Sequence, residues 1–140
     1  MPHPDGGPAL FRLVRFWSRR WSTPPSLDDQ RVRHVEVLSA VTAAGQESTI
    51  GAVARQLGID RSGAGRFVRD AVEAGLLQRH AADPDRRRAA VSPTPEGRAL
   101  LAAALDWQRD AFAELTATWR PADRARFAGY LQRLADEQGA

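Results

Sequence analysis

The residues of this sequence best suited to chemistry are its arginines. Arg61, Arg66 and Arg69 recur close together with Ser62 among them, and Arg86, Arg87 and Arg88 form an unbroken run. A guanidinium is a planar fork of donors that matches phosphate and the guanine edge, and it stays charged. A serine hydroxyl both donates and accepts, so Ser62 suits a base or a phosphate. These groups offer recognition of an anion, not bond cleavage. Groupings for catalysis are missing. His3, His34 and His80 lack metal-ligand spacing. No Ser/His/Asp set, phosphate-cradling glycine loop or dinucleotide fingerprint occurs. Asp28-Asp29 reads as a helix start rather than an acid/base pair. With no cysteine, disulfides, thiolate metal sites, cysteine nucleophiles and thiol switches are excluded. The expectation is a non-enzyme without cofactor or metal.

Charge distribution supports an anionic partner. All 20 basic residues are Arg, set against 17 acids for a net charge of +3. Residues 55–88 hold 8 Arg and 5 acids, and residues 1–33 hold 6 Arg and 3 acids. The positive charge therefore lies in two places, although Arg-only usage also follows from a GC-rich coding sequence. Apolar residues make up 43% of the 140, enough for one compact unit. No segment is a continuous apolar span, and arginines interrupt the basic apolar stretch 9–21 throughout. A cytoplasmic protein without membrane association is expected.

The elements that must position the arginines follow from caps and periodicity. Residues 1–8, with three Pro and two Gly, read as a disordered leader. A helix over 9–22 carries Leu10, Leu13, Val14, Trp17 and Trp21 at spacings of three and four, and Thr23-Pro24-Pro25 ends it. A second helix spans 26–44 with Val32, Val35, Leu38 and Val41 or Thr42 inward and Gly45 as its stop. Ser48 or Thr49 caps a short helix 50–57, and Asp60 caps another over 61–74. Weak strands at 76–80 and 89–92 flank Asp83-Pro84-Asp85, a turn signal. Thr94-Pro95-Glu96 opens a long helix to about residue 119, with Leu101, Leu105, Phe112, Leu115 and Trp119 on one face. Pro121 breaks it. A last helix over 122–137 buries Phe127, Tyr130 or Leu131, and Leu134.

Helix, turn, helix and hairpin over 48–93 are, in order, the parts of a winged helix. The fold class is mainly α: a winged helix-turn-helix with a short β-hairpin wing and flanking helices at 9–47 and 94–140. The N-terminal side chains of a recognition helix meet base edges in the major groove. Here these are Arg61, Ser62 and Arg66, with Arg69 a turn further on. Arg55, on the positioning helix, would face the DNA backbone. Arg86, Arg87 and Arg88 at the hairpin tip suit a narrow minor groove.

Residues 75–100, GLLQRHAADPDRRRAAVSPTPEGRAL, resemble the MarR (multiple antibiotic resistance regulator) family. The likeness lies in the Gly-Leu strand entry, the Asp-Pro-x-Asp-Arg-Arg wing and the Thr-x-x-Gly helix start, and extends loosely over the chain. It implies a homodimer whose N- and C-terminal helices interlock, each subunit reading half of a pseudo-palindromic operator on double-stranded DNA. By position, Arg87 is the minor-groove residue, Asp85 helps hold the wing, and Ser62 and Arg66 are recognition-helix positions. The implied function is transcription regulation as a repressor. Gly63 and Gly65 depart from the family's larger residues and soften the recognition helix. Pro93 replaces a usual Leu and should shorten the second strand.

Other readings stay open. The winged helix could be a protein-interaction module or a non-specific DNA binder. The 9–22 helix, with Phe11 and Phe16, reads as dimer packing in preference to a membrane-surface helix. Trp17, Trp21, His34, Trp107 and Phe112 are either core or the lining of a small-molecule effector pocket.

Overall fold

The computed structural model describes residues 3–18, 27–45, 48–81 and 89–140. Helix α1 is Gly6–Trp17, α2 Asp29–Ala44, α3 Ile50–Leu57 and α4 Arg61–Glu73. Strands β1, Leu77–Ala81, and β2, Ala89–Pro93, precede α5, Pro95–Leu115, and α6, Pro121–Gln138. The mainly α winged helix-turn-helix is the fold formed.

Local chemistry sets most of the boundaries. The Asp28 side chain accepts from the Arg31 amide at 2.8 Å, that of Thr49 from Ala52 at 3.2 Å, and that of Asp60 from Gly63 at 3.1 Å. Each satisfies a donor that the first helical turn leaves unpaired. Gly58 closes α3 with a φ of 66°, the left-handed conformation that glycine adopts without a Cβ clash.

The core gathers around α2. Val37, Leu38 and Val41 pack with Val53 of α3, Ala64, Val68 and Ala71 of α4, the Leu76-Leu77 strand entry, Val91 and Leu101. Burying a side chain such as Leu38 contributes roughly 1.5–3 kcal/mol. Five positions of β1 and β2 pair antiparallel, from Leu77 opposite Pro93 to Ala81 opposite Ala89. The chain entering α3 joins this ribbon. The Val91 amide donates to the Ser48 carbonyl at 3.1 Å, the Ser48 hydroxyl donates to the Val91 carbonyl, and Thr49 bridges Ala90. Ser48 thus ties the wing to the helix-turn-helix, and Thr49 alone is the cap.

Several expectations need correction. The first helix starts at Gly6, because the Asp5 side chain accepts from the Gly7 amide and Pro8 is tolerated in a first turn. Its last helical residue is Trp17, and the break expected at 23–25 lies outside the described residues. Pro93 does not shorten β2. It is the last paired residue, where a two-stranded ribbon has little need of its missing N–H. The long helix stops at Leu115, not near 119. Thr116 is buried and its hydroxyl donates to the Phe112 carbonyl at 2.7 Å, while Pro121 begins the next helix.

The apolar face of the long helix is buried only at Leu101, with Phe112 half-buried, and of the residues expected to be buried on the last helix Phe127 alone is half-buried. Leu105, Leu115, Trp119, Tyr130, Leu131 and Leu134 are exposed, and α6 buries no residue. On α1, Leu10, Phe11, Leu13, Val14 and Phe16 are exposed as well. An aromatic stack of Phe127 on Phe112 and Trp119 holds α6 near α5. Its far end is tied to α3, where the Gln56 amide donates to the Gly139 carbonyl at 2.8 Å.

Candidate nucleic-acid interface

Helix α4 has two chemically distinct sides. Gly63, Ala64, Val68 and Ala71 are buried against the core, whereas Arg61, Ser62, Arg66 and Arg69 are exposed. At about 100° per residue, Ser62, Arg66 and Arg69 fall within roughly 60° of one another, opposite the buried side. The ion pairs among the described residues are Arg109–Asp106 and Arg133–Glu137. Arg69 is therefore not paired with Glu73, and among the described residues these guanidinia carry no carboxylate that an incoming phosphate must displace.

The two departures in α4 have different structural meanings. Gly63 lies under the cap: a Cβ there would stand 2.7 Å from Asp60 Oδ1, the oxygen that receives its own amide. A larger residue at 63 would displace that carboxylate. At Gly65 a Cβ would meet nothing within 4 Å. Its small size leaves open space beside Arg66 and Arg69.

Arg55 is exposed on α3, as a backbone-facing residue must be. Arg61 does not extend from the tip of α4. Its guanidinium lies against Gly51 of α3, with Nη2, Cζ and Nε within 3.6–3.8 Å of where a Cβ would be. Asp85, Arg86, Arg87 and Arg88 lie outside the described residues, although the strands leading to and from them, β1 and β2, are in register.

Thr94 is the expected cap, and Gly97 is a structural residue whose purpose the sequence alone left unexplained. The Thr94 hydroxyl donates to the Gly75 carbonyl at 2.6 Å and accepts from the Gly97 amide at 3.1 Å. A Cβ on Gly97 would run into the Leu76 carbonyl oxygen and stand 3.1 Å from Leu38 Cδ2. The Thr-x-x-Gly spacing was the visible signal, and its purpose is to let α5 cross the strand entry at backbone contact.

The aromatic set divides. Trp17, Trp107 and Phe112 line one small apolar cavity of about 220 Å³, together with Leu115. His34 does not join them. It is buried on α2 with Nε2 unpaired, and burial, then the Arg31 charge, lowers its pKa below 6.5. Trp21 lies outside the described residues. A second opening, an open groove of about 890 Å³, runs between the end of α2, the wing and α5, with Arg98 and His80 among apolar walls. Among the described residues there is no group of three or more His, Asp or Glu side chains that could hold a metal. None of their helices is long and apolar enough to cross a membrane.

A recognition helix with an exposed arginine side, a positioning helix and a two-stranded wing define a winged helix-turn-helix protein. Residues 28–88, which run from the cap of α2 to the residue before β2, match the family model of the MarR family. The chain is similar to a MarR family transcriptional regulator from Silicibacter pomeroyi, at 25% identity and a TM-score of 0.68, over 93% of this chain and 85% of that one. Bordetella bronchiseptica BpsR, whose DNA binding is regulated by 6-hydroxynicotinic acid, aligns at 22% identity and a TM-score of 0.59, covering 91% and 98%. An F27L mutant of Staphylococcus aureus MepR, solved bound to an oligodeoxyribonucleotide, shares the fold at 16% identity and a TM-score of 0.57, covering 94% and 96%. No curated protein matches the chain significantly.

Proposed function

We propose that the chain is a sequence-specific transcriptional repressor that binds a pseudo-palindromic operator as a homodimer. The observation that carries this reading is the division of α4, with Ser62, Arg66 and Arg69 exposed on one side and its apolar residues buried on the other. The solved complex of MepR with an oligodeoxyribonucleotide supports DNA binding by this fold. In this reading Arg66 takes a guanine through a bidentate contact, Ser62 and Arg69 flank it, and Arg55 meets the backbone. Arg86, Arg87 and Arg88 reach the minor groove, with Arg87 inserted and Asp85 holding the wing. Residues 9–47 and 94–140 dimerise and 48–93 bind DNA. The protein acts in the cytoplasm, without catalysis.

A small-molecule effector belongs to the same reading, as BpsR is regulated by one. Trp17, Trp107 and Phe112 give its pocket an aromatic wall. At about 220 Å³ the cavity is smaller than the roughly 300–1,000 Å³ of most ligand sites, so a second subunit completes it.

Arg66→Ala and Arg87→Ala test the residue assignments on a fixed duplex at fixed salt. Each should weaken binding about tenfold or more, since a bidentate base contact contributes roughly 1–3 kcal/mol. Unchanged affinity in both would remove them from the interface.

A further inference from the structure

We infer that Arg61 is a fixed phosphate clamp rather than a base reader, seated on Gly51 and acting with Arg55 on one phosphodiester of the DNA backbone. The inference rests on the DNA-binding reading and assigns a role within it.

Position is the first ground. Five residues of helix place Arg61 about 140° around α4 from Arg66, away from the side shared by Ser62, Arg66 and Arg69. Contact is the second. Three guanidinium atoms of Arg61 lie 3.6–3.8 Å from the Cβ position of Gly51, so the fork rests on the neighbouring helix instead of projecting along the axis of α4. A residue with a long side chain at 51 would occupy that seat.

Surroundings are the third ground. A groove of about 480 Å³ is bordered by Thr49, Gly51, Arg55, Arg61 and Ala89. It thus lies where the two helices meet the start of β2, the strand returning from the arginine-bearing wing tip. Neither Arg55 nor Arg61 has an ion-pair partner among the described residues. Two like charges bordering one groove repel, and an anion between them relieves that repulsion. A phosphodiester carries one charge and two free oxygens that accept charge-assisted hydrogen bonds from such forks. The first helix of a helix-turn-helix crosses the DNA backbone, which brings a phosphate to this seam. Base discrimination then falls to Ser62, Arg66 and Arg69.

The test uses the full chain and duplexes selected from a random-sequence DNA pool. Affinity is measured across a salt series for wild type, Arg61→Ala, Arg61→Lys and Arg66→Ala, on the preferred duplex and on single-base variants of it. Arg61→Ala should weaken all duplexes by the same factor and reduce the log–log salt slope by about one. Arg61→Lys should keep the slope and most of the affinity, because a point charge serves a phosphate. Gly51→Leu, which keeps both charges but fills the seat, should weaken binding without changing base preference. Relaxed discrimination at one base pair in Arg61→Ala, with the salt slope intact, would overturn the clamp. So would Arg61→Lys behaving like Arg61→Ala. A wild type that binds no duplex in a salt-dependent way would instead remove the DNA-binding reading itself.

Discussion

Single residues determine how closely the elements can approach. Gly97 is the tightest case, since any Cβ there meets the Leu76 carbonyl oxygen and nearly touches Leu38. Gly97→Ala should destabilise the fold by about 3 kcal/mol, the upper range for overpacking, as read from denaturant unfolding. Gly65 has open space around it and an ordinary helical φ, so Gly65→Ala should stabilise α4 by about 0.5–1 kcal/mol. His34 gives a pH dependence. Burial and Arg31, helped by Arg33 and opposed by Asp70 and Asp28, hold its folded pKa below 6.5. The unfolded chain therefore takes up the proton first. Stability should be full above 6.5 and fall as pH drops below it toward the lower folded value. His34→Leu should flatten that fall, which urea midpoints from about pH 7 to about pH 5 would show.

Elements were legible where their signals are local. Thr49, Asp60 and Thr94 were readable as caps because a short oxygen-bearing side chain before a helical pattern does one job wherever it occurs. Asp60→Ala should cost about 1 kcal/mol and fray the first turn of α4, visible as faster amide exchange at Gly63. The strand pair was legible from the turn at Asp83-Pro84-Asp85 despite its weak alanines. Its length was misread at Pro93, because the demand for an N–H depends on pairing that only the folded ribbon reveals. Arg61 shows the same limit. Its place at the start of α4 was plain, but its seat on Gly51 depends on how α3 and α4 meet. His34 was grouped with the tryptophans for its type, yet it sits on α2, outside the cavity that Trp17 of α1 and Trp107 of α5 line, with its own charges around it.

At the scale of the molecule, periodicity tells that a helix face must be covered but not by which chain. Phe11 on α1 is 71% exposed and Tyr130 on α6 is 66% exposed, while the core around α2 is closed. Faces of this kind mark an association surface, and in the proposed dimer a second copy covers them. Phe11→Glu combined with Leu131→Glu should leave the helix content intact and shift the sedimenting species from dimer to monomer. A lone subunit would hold one recognition helix, so its operator affinity should collapse as well. Selection of bound duplexes from a random-sequence pool, followed by a salt titration of the winner, tests the central claim most directly. The account predicts an inverted repeat with half-site centres about 10–10.5 bp apart or a multiple of that, and a log–log salt slope of several units. Enrichment of no sequence over general duplex would contradict it.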